Sequence, residues 1–182
     1  MGTLTITPQF SDYGANTWAS DPDHVAKQAV ITQVCADLSA GLCSGPSVGN
    51  ITCTIDYGTG VVGPVGIAVS SGAASQWTSA TSITYSSFRT ALLAMGAQNS
   101  IQTSGWNSTN LPSTAPNSEA AATQSVSSAL HMCIGNMSQA FFNSVHGGIA
   151  GYVGIATGFG TNFDIHGIGG NSYYEPALHE SS

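Results

Sequence analysis

The sequence predicts an α+β fold, a mixed β-sheet with helices packed against it. Three features carry that expectation. An alternating, β-branched segment, Thr3 to Phe10, precedes a long amphipathic segment, and a second alternating segment, Val48 to Tyr57, follows it. Short glycine-punctuated segments then fill the later chain. The last stretch, from Pro176, reads as a helix start. Strands and helices that alternate early and then give way to hairpins suit a mixed sheet covered by helices.

Thr3-Leu-Thr-Ile-Thr-Pro-Gln-Phe10 alternates with period two and reads as the first strand. Ser11 to Ser20 is a loop. Asp21-Pro22-Asp23 marks a helix start: Asp21 caps, Pro22 suits the first helical position and Asp23 complements the dipole. Ala26, Val30, Val34 and Leu38 recur every fourth residue, Ile31 and Cys35 widen the stripe, and Gly41 is the stop. In the second strand Ile51, Cys53 and Ile55 share one face, and Gly58-Thr-Gly60 ends it. Val61 to Ser70 reads as a third strand, with Gly63 and Gly66 marking an edge or bulge.

A Ser/Ala/Gly loop carrying Trp77 leads to Thr84, a helix cap. Phe88, Ala91, Leu92 and Met95 follow as a short amphipathic helix ending at Gly96. Asn99 to Ser118 is a polar loop. Glu119 to Leu130 is expected to be helical through its alanines, and Met137 to Val145 is a further helix. Gly151 to Thr157 reads as a strand with Thr161 to His166 as its hairpin partner. The whole chain, residues 1–182, is expected to be one domain.

Charge is scarce. Lys27 and Arg89 are the only basic side chains against nine acidic ones, for a net charge of −7. Phosphate contacts need Lys and Arg, so nucleic acid is excluded as a partner, and so is an anionic membrane surface. No apolar run approaches the ~20 residues of a membrane span. Solubility must come from Ser, Thr, Asn and Gly, a composition associated with extracellular or virion proteins. Cys35, Cys43, Cys53 and Cys133 form no C-x-x-C pair, which argues against a cysteine zinc site. Two readings of them stand: a bridge within Cys35, Cys43 and Cys53 in an exported protein, or buried thiols acting as small hydrophobes.

The chemistry concentrates in the tail. His179-Glu180 follows a short apolar lead-in, as at the start of a zinc peptidase active-site helix. There the His is a metal ligand, the Glu is the general base that deprotonates a zinc-bound water, and a second ligand follows four residues after the first. The chain ends three residues past His179, so the motif is expected to be incomplete at the C-terminus. The bland alternative is a terminus that happens to contain His-Glu. Asp164 and His166, two apart, point the same way if extended and with His146 would form a surface metal site; the alternative is exposed or capping groups. His24 and His131 fall in helices and read as structural. Arg89 reads either as a clamp for a substrate carboxylate or as a structural ion pair with one of the acids. No G-x-S-x-G elbow is present, and the glycine runs at Gly158 and Gly167 lack a phosphate-binding frame.

The runs Asn50-Ile-Thr-Cys-Thr-Ile-Asp-Tyr-Gly58 and Ile83-Thr-Tyr-Ser-Ser-Phe-Arg-Thr-Ala-Leu92, then Asn110-Leu-Pro112, Gly151-Tyr-Val-Gly-Ile155 and Asn162-Phe-Asp164, stand in one order. In that order and spacing the chain, from Leu4 to Glu180, resembles a family of secreted bacterial zincin-like metalloproteases. That family closes on an HE-x-x-E-x-MGR helix, of which this sequence shows only His179-Glu180. The resemblance implies a zincin-like fold with the active-site helix beside a mixed sheet. It also implies export and hydrolysis of peptide bonds in a peptide or protein substrate. His179 would be a zinc ligand and Glu180 the catalytic base, with zinc held only once the motif is completed beyond Ser182. The alternative is a non-enzymatic extracellular or virion protein that self-assembles through its neutral surface.

Overall fold

The period-two alternation of the first strand, β1 (Gly2–Phe10), buries Leu4 and Ile6 on one face and leaves Thr3, Thr5 and Thr7 exposed on the other. The structure, a computed structural model, describes residues 2–44, 48–78, 81–95, 110–113, 123–160, 162–165 and 172–181. Helix α1 (His24–Gly41) crosses from β1 towards β3 (Ile51–Thr59), which pairs with β1 in parallel. The two-residue strand β2 (Cys43–Ser44) lies antiparallel on the outer side of β1. Strand β9 (Ile149–Ile155) is parallel to β3, and β6 (Ala73–Trp77) closes the order β2-β1-β3-β9-β6 as an antiparallel edge. The chain is therefore α+β, with a mixed sheet and packed helices.

Register sets the core. Leu4 stands beside Ile51, Ile6 beside Cys53 and Phe10 beside Tyr57, while Tyr57 and Thr59 stand beside Val153 and Ile155. Onto this face α1 lays Val30, Ile31, Val34, Cys35 and Leu38. The final helix, α5 (Tyr174–Ser181), adds Ala177, with Tyr173 just before it. Two shorter helices, α3 (Ser128–Cys133) and α4 (Gln139–His146), contribute Met132 and Phe142. Serines 127 and 138 cap them, accepting from the amides of Leu130 and Phe141. Where β3 outruns β9, the Gln139 side-chain amide takes both the N–H and the C=O of Thr52 at 2.8 Å, standing in for a strand.

On the other face a ribbon of β4 (Val61–Val62) and β5 (Ile67–Ala68) folds back across the sheet. Val61 to Ser70 is thus a hairpin rather than one strand, because Gly63 and Gly66 take positive φ. The ribbon crosses over Gly58 and Gly154, neighbours in β3 and β9; a Cβ on either would meet the Val61 carbonyl oxygen at 2.5 Å. A small separate pair, β7 (Thr81–Ile83) with β8 (Gln124–Val126), supports α2 (Tyr85–Met95). Of the region expected to be helical from Glu119, residues 119–122 lie outside the described residues, Gln124–Val126 is strand, and a helix starts at Ser128. Serine side chains compete for backbone groups and displace the start to the first good cap. Gly96 and His166 lie outside the described residues. Asn162–Ile165 is not a strand; it makes a single bridge, Asn162 to Ser172.

One buried ion pair joins these layers. Lys27 Nζ lies 2.6 Å from Asp21 Oδ2, both side chains being about 2% exposed. The same ammonium donates to the Thr157 carbonyl at 2.6 Å and sits 5.8 Å from the ring centres of Phe163 and Tyr173. Asp21 is not the cap that the sequence suggests: the helix starts at His24 with Asp23 in the cap position, and Asp21 Oδ1 accepts from the Asp23 amide in the turn before it while its other oxygen holds the lysine. Arg89, read above as a clamp or an ion pair, donates from Nε to the Leu111 carbonyl and ties α2 to the 110–113 loop.

Candidate functional site

Among the described residues the sheet face is not fully covered. Between the ends of α1, α3 and α5 a cavity of about 530 Å³ opens over Ile6, Cys53, Ile55 and Val153. Its lining is mostly apolar, and the volume is within the range of ligand clefts. Leu42, Trp77 and Leu130 line it and are exposed. Polar groups reach the wall from the last turn of α5, His179, Glu180 and Ser181, and also from Ser75, Gln76, Ser127 and Tyr152. The two residues singled out in the sequence therefore stand beside the sheet, at this cleft.

Helical geometry explains their difference. Ala177 faces the core, so Ser181, one turn on, is turned partly inward and His179 lies on the opposite side. The His179 side chain is 83% exposed and that of Glu180 18%, and His179 Nδ1 is 3.2 Å from Glu180 Oε1. His179 is thus accessible. Among the described residues no three His, Cys, Asp or Glu side chains converge to hold a metal ion. A catalytic zinc needs three protein ligands. The described residues alone do not make such a centre.

The other sequence candidates are elsewhere. His146 Nε2 lies 3.0 Å from Ser128 Oγ, which is also 3.2 Å from the Thr78 carbonyl. Ser128 is fully buried, so this serine–histidine contact ties α3 to α4 and to the end of β6 and is closed to any substrate. Asp164 is exposed in a turn whose amide bonds the Asn162 side chain. His24 Nδ1 contacts the Asp21 carbonyl, and His131 is buried. Cys35, Cys53 and Cys133 are free thiols. Burial, then the neighbouring Cys133 and Cys35, pushes the Cys53 thiol up to about 12.

Sequence reading missed the edge strand. Ala73-Ala-Ser-Gln-Trp77 has no β-branched residue and sits in a Ser/Ala/Gly run, so its only signal was Trp77. The ladder to β9 is bracketed by bonds from Ala156 N to Gly72 O and from Thr78 N to Ala150 O. In that phase Ala74 and Gln76 exchange bonds with β9, and the N–H and C=O groups of Ala73, Ser75 and Trp77 point away from the sheet. Among the described residues no strand pairs with that side. The edge also lacks the Lys or Pro that usually blunts one.

Buried phenols add a pH signature. Burial raises Tyr57 and Tyr173 above the ordinary phenol range, as it does Tyr13, whose hydroxyl also donates to Asp56 Oδ2 at 2.7 Å. These groups and Cys53 hold their protons more tightly folded than unfolded. Stability is then fully present below the unfolded values and falls as pH rises beyond them, by about 1.4 kcal/mol per pH unit for each proton. A melting-temperature series from pH 7 to 11 should be flat at first and fall steeply above about pH 9. A flat profile throughout would mean that these groups are exposed in solution.

In comparisons with family models, curated proteins and solved structures, nothing matched this chain.

Proposed function

We propose that the chain is a zincin-like metallopeptidase domain whose described part is the peptide-binding half of the site. The observation that carries this reading is one juxtaposition: the helix bearing His179 and Glu180 flanks an apolar cavity also lined by Ser75, Gln76 and Trp77 of the unpaired edge strand. An extended peptide pairs its main chain with such an edge and drops alternate side chains onto the sheet face. Here that face is the cavity, so a large apolar side chain fits. His179 would serve as the first zinc ligand and Glu180 as the base. On this reading a completed motif past Ser182 would supply further ligands, and the 182 residues alone would bind but not cleave. The near absence of basic side chains supports the reading of an exported protein. No helix among the described residues is long and apolar enough to cross a membrane.

Two measurements test it. The peptide acetyl-Ser-Leu-Leu-Leu-Ser-amide should bind this chain and perturb Trp77 fluorescence, and Ser75→Pro should weaken binding at least about tenfold by deleting one outward N–H, which an edge strand tolerates. Zinc analysis and a casein digest should be negative for this chain and positive for one extended past Ser182. A second reading, a self-assembling structural protein, is favoured by Phe141 and Val145, one turn apart on α4 and both exposed. Inertness of both forms, with filaments or shells visible by electron microscopy, would establish that reading instead.

A further inference from the structure

A buried hydroxyl reaches the cavity wall formed by α5 from below. Tyr57 is fully buried in the middle of β3, and its OH lies 2.6 Å from Ser181 Oγ and 3.4 Å from Cys35 Sγ. Donor counting fixes the direction of these bonds. Ser181 has one hydroxyl proton and donates it to the Ala177 carbonyl one turn back. It must then accept from Tyr57. Tyr57, its proton committed to Ser181, accepts from the Cys35 thiol. The result is a one-way relay from α1, by way of the Tyr57 side chain between the two helices, to the last turn of α5. A buried relay is worth more than its separate links, because each bond polarises the next.

On the core side of that turn Leu178 packs against the hydrophobic cluster, and Ser181 supplies the hydrogen bond to the sheet. Ala177 is the only α5 residue that is fully buried, His179 is exposed, and the Tyr174 hydroxyl anchors the helix start, bonding to Asp37 on α1. The far end, which carries His179 and Glu180, has Ser181 on the sheet side.

We infer that Tyr57 is a positioning residue: acting through Ser181, it holds the last turn of α5 against the sheet and so sets the shape of the cavity and the place of His179 and Glu180. The inference rests on the reading of the cavity as the peptide site, but its primary test does not. Tyr57→Phe removes one oxygen and keeps the ring, so the packing of β3 against α1 survives. It leaves Ser181 without its donor and Cys35 without its acceptor.

Amide hydrogen exchange on the whole chain reads the outcome. In Tyr57→Phe the amides of residues 177–181 should exchange about five- to tenfold faster, the equivalent of one hydrogen bond. Those of β1, β3 and α1 should change no more than in Val30→Ala, a control of the same core that leaves the relay intact. Ser181→Ala should give the same local pattern, and the double variant should be no worse than either single one, since both cut the same chain. The Leu-rich peptide should bind Tyr57→Phe more weakly but Val30→Ala unchanged. Acceleration spread evenly over the core, additive effects of the two substitutions, or unchanged peptide affinity despite a loosened α5 would each overturn the assignment. Failure of the wild-type chain to bind the peptide would count against the peptidase reading alone, and the exchange pattern would still decide the relay.

Discussion

Lys27→Ala will destabilise the fold by about 3–5 kcal/mol, because it strands the Asp21 carboxylate in the interior without its counter-charge. The pair is almost completely sheltered from water, and its ammonium also satisfies the Thr157 carbonyl. Removing the lysine therefore leaves two acceptors bare, and the Phe163 and Tyr173 rings lose the cation between them. The only other Lys or Arg side chain, Arg89, is engaged with Leu111. In urea the midpoint should fall with an unchanged slope, and the melting temperature should fall by on the order of 10 °C. The double variant Asp21→Asn, Lys27→Met should regain much of the loss, because the amide can still accept from Asp23 and no charge stays buried. A loss below about 1 kcal/mol for Lys27→Ala would mean that the pair is exchanging with solvent.

Gly154→Ala will be comparably damaging for a steric reason. The added methyl would meet the oxygen and carbon of the Val61 main chain at 2.5 and 2.6 Å and the Val62 side chain at 2.7 Å. Backbone cannot swing aside as a side chain can, so the β4–β5 ribbon must lift. The cost should reach about 3 kcal/mol, the upper part of the range for overpacking. Gly58→Ala strikes the same carbonyl from the neighbouring strand and should behave alike. Gly158→Ala is the control: its Cβ would meet nothing, and stability should change by less than about 0.5 kcal/mol. Denaturant midpoints for the three variants check this. Equal midpoints would place the ribbon away from the sheet in solution.

The parts of the fold that were legible in the sequence are those with strong local periodicity. β1 and α1 appear within three residues of the stretches marked by Thr3 to Phe10 and by the Ala26–Leu38 stripe. The Thr84 cap is present, its hydroxyl accepting from the Ser87 amide. The parts that were not legible depend on partners distant in sequence. Val61 to Ser70 carries strand-forming residues, yet its direction is set by where Gly58 and Gly154 leave room. The edge strand at Ala73–Trp77 has weak intrinsic preference and exists because β9 offers it a ladder. The tail pair was visible from its residue types, and the structure adds a cavity and a free edge beside it. The relay beneath it joins residues from three elements, and no local pattern announces Tyr57. Lys27 was visible only as a rare charge; nothing near it in sequence indicated that it would be buried.

The pairings that complete the core bear on how the molecule is made. Lys27 waits for Thr157, 130 positions later, and Tyr57 for Ser181, 124 positions later. At ribosomal speeds of about 5–20 residues per second, the interval is roughly 6–25 seconds. Through it the apolar faces of β1, β3 and α1 stand without the helix that shields them. A nascent chain of this kind is a natural client for a holding chaperone, and its maturation should begin only after Tyr173 and Ala177 have cleared the exit tunnel.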